Sequence, residues 1–466
     1  MKDKFFNLFL PLAYILFAAL ISQNLINDSG RLIINHIDLS PNNLLILQIS
    51  AGIISLIPSI LLIVMSMKYS VKKIIKSLYG FSAITASLFF FVLLPYHDFF
   101  VLPVDLVKSL TPYLEHEQQL ILANHWHTII FYGLAVLWPS GMILLLYGYM
   151  NDIFSFKKAA KFYPLFGVLA LLFNIFINPL CLSALDLSPT LKAPEFPQWL
   201  YRYGGAIMFF LVSSYACYIH MFRKKVRLET APTNMSGLSW SYASGLGILA
   251  GFSGIIILFT KTIWKYNARI EFPSPSEYAH HLGSFGMYSS IAALMTLGVL
   301  VFMSFCLEER LAKGWRNFYF AISFMTLILG ATFFVFTVFD NSITPLVTPK
   351  HSITPLRSLT LISAGYQILV SSIAYPVILS LKEIAIVPIE RKKRFTAKLL
   401  IDLVFVKGFL ILGAIITSIL RTYTGSIKAS FPYMMAIFFV LSLSRFAFIY
   451  FLGCKLDRQT QSIAVE

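Results

Sequence analysis

The chain has 466 residues, of which 58% are AVILMFWYC and only 12% are Asp, Glu, Lys or Arg, about half the charged share of an ordinary soluble domain. It carries 37 Lys and Arg against 21 Asp and Glu, a net charge of +16. This composition excludes a water-soluble enzyme, and because the apolar residues gather into runs of about twenty, the basic excess points to membrane topology rather than to nucleic acid.

The apolar runs fall at 5–26, 43–67, 77–95, 127–150, 162–184, 201–222, 240–262, 285–306, 316–339, 357–381, 399–420 and 431–453. Each is long enough to cross a bilayer as a tilted helix, and none shows the short alternating pattern of a membrane β-barrel. Lys2 and Lys4 before the first run resemble the start of a signal peptide. No small-x-small cleavage site follows, so the run is expected to be a retained helix.

Between the runs, basic residues alternate. The odd-numbered segments hold 24 Lys and Arg, including Lys68 to Lys76, Lys157 to Lys161, Arg223 to Arg227 and Lys382 to Lys398; the even-numbered ones hold about eleven. The positive-inside rule then places both termini in the cytoplasm of a multi-pass cell (inner) membrane protein. The expected fold class is an all-α polytopic membrane protein with about twelve transmembrane helices in two six-helix halves. The expected division is residues 1–222, a cytoplasmic linker 223–239, and residues 240–466.

Chemistry has few candidates. Phosphate-loop, H-E-x-x-H and G-x-S-x-G signatures do not occur, so no enzyme, catalytic residue, cofactor or metal is expected. Cys181, Cys217, Cys306 and Cys454 are scattered and suggest neither zinc nor disulfides. His125 and His127 flank Trp126, and His280 precedes His281. Such pairs are able to ligate haem, but their place in or beside loops favours ordinary solvated histidines. Ionisable residues in spans carry more information, because a charge in the bilayer is costly unless it faces water or a partner. Lys407 and Arg445 lie deep enough to line a polar cavity or, equally, to lock helices together. Lys261 and Lys382 lie at span ends, where position alone favours interfacial anchoring. Tyr201, Arg202 and Tyr203 open a span and have the faces and charge to stack on and pair with a nucleotide, although most aromatic residues there form interfacial belts.

Three segments carry a more specific signal. The first runs from Asn151-Asp152 to Lys161-Phe162-Tyr163-Pro164-Leu165-Phe166-Gly167. The second is Trp264-Lys265 with Phe272-Pro273-Ser274-Pro275-Ser276-Glu277-Tyr278, Gly283 and Phe285. The third is Lys382-Glu383-Ile384-Ala385-Ile386-Val387-Pro388-Ile389, followed by Lys398 and Ile401-Asp402. Together, and in this order, the chain resembles the ATP/ADP translocase family, the nucleotide transporters of plastids and of bacteria living inside other cells.

The resemblance implies a fold similar to that of the major facilitator transporters, and transport of nucleotides through a path holding a few charged residues. Of the family's two Lys and two Glu positions, Lys382 matches one. The two Glu positions fall on Val136 and Lys261, and the remaining Lys position falls near Arg31. A path lined by Lys382, Lys261 and Arg31 would be more cationic than the family's, favouring a polyanion and weakening the case for proton coupling. The expected partners are therefore the lipid bilayer and a nucleotide or other phosphorylated anion, moved by exchange. Lys382, Lys261, Arg31, Arg202, Tyr201, Lys407 and Arg445 are the candidate contacts. A transporter-derived protein that binds without transporting is the alternative.

Overall fold

In a computed structural model of the chain, the described residues are part of 11–26, then 41–69, 71–135, parts of 141–151, 159–164 with 168, 195–223, 240–309, 311–339 and 355–465. They form two compact units, Met1–Leu146 with Ser183–Arg227, and Tyr147–Leu182 with Leu228–Glu466. The described residues among 147–164 group with the second unit.

The first unit contains α1 (Pro41–Lys68), α2 (Val71–Leu88), the short α3 (Val104–Leu110), α4 (His116–Ala135) and α5 (Glu195–Arg223). Its core holds Phe89, Phe90 and Phe131 with Ile26 and Ile207. Phe89 stacks on Phe131 with ring centroids 3.8 Å apart. Inside this apolar packing, hydroxyls pair across helices: Tyr79 Oη donates to Ser214 Oγ at 3.1 Å and Tyr14 Oη to Ser213 Oγ at 2.7 Å.

The second unit contains α6 (Trp240–Glu271), α7 (Pro275–Glu309), α8 (Leu311–Val338), α9 (Pro355–Leu369), α10 (Tyr375–Ile386), α11 (Arg391–Leu399), α12 (Val406–Thr424) and α13 (Phe431–Val465). Short π-helical turns, Val370–Ala374 and Leu400–Phe405, join α9 to α10 and α11 to α12 into continuous spans. Among the described residues seven helices are long and apolar enough to cross a membrane, and six of them belong to this unit. The described helices agree with the polytopic, all-α expectation. The expected spans 5–26, 127–150 and 162–184 lie partly outside the described residues. Helices overrun the apolar runs, as in α13, because a helix continues past the hydrocarbon layer as long as its backbone bonds are made.

Two local features explain how these helices sit. Pro376 has no N–H to give to the carbonyl four residues earlier, that of Ser372, and an unpaired carbonyl is costly in lipid. The hydroxyl of Thr296 on α7 donates to that carbonyl at 2.6 Å, while Ser289 Oγ and Ser372 Oγ lie 2.9 Å apart. On α6, Gly247 and Gly251 form a small-residue stripe against one ring that closes the π turn and one that follows it. A Cβ on Gly247 would stand 2.5 Å from the Phe405 ring and one on Gly251 2.5 Å from the Phe409 ring. Gly251→Leu is therefore expected to destabilise the folded protein by about 1–3 kcal/mol through overpacking. Gly298→Leu, at an exposed position with open space around its Cα, should not. Thermal unfolding of the two variants in detergent separates the cases.

Candidate functional site

The second sequence motif builds one end of the second unit. Ser274 precedes Pro275, the first residue of α7, and Glu277 follows three residues later, the spacing of a capping box. The Glu277 N–H donates to Ser274 Oγ at 3.2 Å, and Ser274 Oγ donates to Glu277 Oε2 at 2.9 Å. The turn this fixes packs Trp264, Tyr278, Leu282, Phe272 and Phe285 into one cluster. His281 stacks on Phe272 with centroids 4.7 Å apart, and the Arg269 guanidinium lies 4.9 Å from the Tyr278 ring centroid. This motif is an aromatic corner between two spans, and it gives His281 a packing role.

The first and third motifs meet at the other end of the unit. Lys455 Nζ reaches Ser241 Oγ, Arg316 pairs with Asp457 at 3.3 Å, and the Trp315 indole N–H donates to the Leu381 carbonyl at 2.8 Å. These contacts set the start of α6 and α8 beside the ends of α10 and α13. From Ser241 to Trp264 the helix climbs about 35 Å, so the two ends are separated by more than the hydrocarbon layer.

There, Lys382 and Glu383 at the end of α10 face Lys398 on α11 and Asp402 in the following π turn. Lys382 Nζ donates to Asp402 Oδ1 and lies 3.4 Å from Glu383 Oε1. Lys398 Nζ donates to Glu383 Oε1 at 2.5 Å and to Asp402 Oδ2 at 3.2 Å. The four side chains thus form a closed ring of alternating charge that sums to zero. Pro388 ends α10 and lets the chain turn back, which brings α11 against it. Lys398 also lies 5.2 Å from the centroid of the Tyr147 ring. Arg394 Nη1 donates to the Asn151 carbonyl, and the Tyr163 hydroxyl donates to the Asn151 side chain. Residues far apart in the sequence are thereby joined into one polar assembly.

Lys382 is accordingly buried and ion-paired, and the snorkelling anchor that its position alone favours is not what the structure shows. Arg445 on α13 is also buried, 2% exposed, but is held differently. Its Nη atoms reach Ser323 Oγ at 3.2 Å and Thr326 Oγ1 at 3.4 Å on α8, its Nε has no partner, and no carboxylate pairs with it among the described residues. Tyr319, buried on the same helix, stands one turn before Ser323.

The other candidates lie elsewhere. Lys261 on α6 and Lys407 on α12 are half-buried. Arg202 is exposed on α5 in the first unit, and Tyr201 shares that helix. Arg31 and Val136 fall outside the described residues. Sequence reasoning missed Glu383, Lys398 and Asp402 as site residues, although all three stand in the third motif. The available signal was the i,i+4 spacing of Lys398 and Asp402, which places opposite charges on one helix face.

Comparisons with known proteins bear on the same residues. The sequence model of the family described as TLC ATP/ADP transporter matches residues 1–228 and 220–454. The chain is 26% identical over 397 residues to ADP,ATP carrier protein 1 of Chlamydia trachomatis, covering 76% of this chain and 73% of that protein. It is 26% identical over 333 residues to ADP,ATP carrier protein 2, chloroplastic, of Arabidopsis thaliana, covering 68% and 52%. In fold it is similar to a bacterial homologue of the iron transporter ferroportin in its outward-facing state. The TM-score is 0.53 at 12% identity, over 94% of this chain and 99% of that one. That likeness concerns architecture and agrees with the transporter fold expected from the sequence. With the family's pattern matched along nearly the whole length, and its third motif assembled into a buried charge network, the chain belongs to the TLC ATP/ADP transporter family.

Proposed function

We propose that this protein is a secondary transporter that exchanges ATP- or ADP-like nucleotides, or related phosphorylated anions, across a membrane by alternating access. The observation that carries this reading is the family match over residues 1–228 and 220–454. The buried cations supply its chemistry: an ammonium and a guanidinium donate charge-assisted hydrogen bonds to phosphate oxygens, the guanidinium in a fork that suits them. Lys382 and Arg445 are the central contacts in this reading. Lys261, Lys407 and Arg31 add positive charge to the path, and Tyr201 with Arg202 offers a stacking face. Residues 1–222 and 240–466 act as the two rocking halves, joined by the linker 223–239. The binding-only alternative has no support in a family of carriers.

Uptake into proteoliposomes, with a panel of labelled nucleotides outside and unlabelled nucleotide inside, tests the proposal. Faster uptake of ATP or ADP when nucleotide is present inside is expected. Folded protein that moves no phosphorylated compound in either mode removes the transporter reading. A thermal shift with nucleotide but no uptake would instead favour binding alone. The charge bias supports a cytoplasmic position for both termini, in the cell (inner) membrane. Reporter fusions at each end should both report the cytoplasmic side.

A further inference from the structure

The four charges of the network are not equally enclosed. The side chains of Glu383 and Lys398 are 1% exposed, whereas those of Lys382 and Asp402 are each 10% exposed. The ring therefore has a sealed edge, Lys398 with Glu383, and an edge nearer the surface, Lys382 with Asp402. A buried carboxylate stripped of its cation is strongly unfavourable, so a lysine leaves such a site readily only when the acids keep another cation. Lys398 meets that condition, because its ammonium already bonds both Glu383 and Asp402. Withdrawing Lys382 orphans neither acid. Withdrawing Lys398 would leave Glu383, among the described residues, with Lys382 at 3.4 Å as its cation.

We propose that Lys398 is a positioning residue that holds Asp402 and Glu383 as an internal anion for Lys382, so that Lys382 trades Asp402 for the phosphate oxygens of an arriving nucleotide. This rests on the transporter reading above. Carboxylate and phosphate oxygens are alternative acceptors for the same ammonium, so Asp402 acts as a built-in competitor. Each added phosphate charge competes better, and the competitor thereby sets preference by phosphate number. The π turn that carries Asp402 contributes to its aim. Its extra residue widens the helix and directs the carboxylate both to Lys398, four residues earlier, and to Lys382 on the neighbouring helix.

Initial uptake rates of ATP, ADP and AMP in proteoliposomes, for wild type and for Asp402→Asn, Lys398→Gln, Lys398→Arg and the double Asp402→Asn/Lys398→Gln variant, provide the test. Asp402→Asn should lower the KM for ATP by about three- to tenfold, less than the full worth of a charged hydrogen bond because Glu383 still lies 3.4 Å from Lys382, with a smaller gain for ADP and the least for AMP. Lys398→Gln should raise KM, because two carboxylates then share Lys382. Lys398→Arg and the double variant should return toward wild type. If Lys398→Gln does not fold, Asp402→Asn and Lys398→Arg decide. A network that serves only to hold helices together would lower Vmax equally for all three nucleotides and leave KM unmoved. That result, or a higher KM in Asp402→Asn, overturns the proposal while wild-type transport keeps the transporter reading intact. If wild type moves none of the three, the transporter reading fails first and the partner exchange fails with it.

Discussion

Glu383→Leu is expected to lower the stability of the folded protein by about 3–5 kcal/mol, the cost of leaving one buried charge of a network uncompensated. Of the network's two carboxylates only Asp402 would then remain for both lysines, in surroundings where the Lys398 side chain is 1% exposed. The exposed pair Lys393 and Glu390, 2.6 Å apart with side chains 43% and 38% exposed, is the matched control. Glu390→Gln should cost under about 1 kcal/mol, since exposed ion pairs contribute little. Thermal unfolding in one detergent compares the two variants. Equal losses would contradict the buried, closed arrangement of the four charges.

Arg445→Leu is expected to act with the opposite sign on stability. Among the described residues the buried guanidinium has two hydroxyl partners, a bare Nε and no acid. Replacing it with an apolar side chain of similar volume relieves a desolvated charge, and stability should stay level or rise by about 1–4 kcal/mol. Nucleotide uptake should fall by at least about tenfold, because a lost charged hydrogen bond is worth that much or more. If the residue serves to lock α8 to α13, the pattern reverses: the melting temperature drops and uptake per folded molecule stays unchanged. Measuring both quantities on the same preparation separates a ligand contact from a structural one.

The membrane architecture was largely legible in the sequence, because twenty apolar residues in a row have few other fates. The aromatic corner was also legible in part, since Pro275 at the first helical position and Glu277 after Ser274 are local signals. The charge network was not. Lys382 at the end of an apolar run looks the same whether it reaches for headgroups or turns inward, and only the return of α11 against α10 decides. The π turn at Leu400–Phe405 left no mark either, as the apolar run 399–420 has the same composition with or without an extra residue in one turn. The polar partners of Arg445 were not legible either, because Ser323 and Thr326 are hydroxyls more than a hundred residues away in the chain.

The bond from Thr296 to the Ser372 carbonyl has a mechanical consequence. The span from Pro355 to Ile386 behaves as two stiff rods meeting at a joint, Tyr366 on one and Lys382 on the other. Flexing that joint stretches a hydroxyl contact to a neighbour instead of rupturing the rod's own ladder. Because the compensating donor is Thr296, the pivot belongs to α7 as much as to the span that bends.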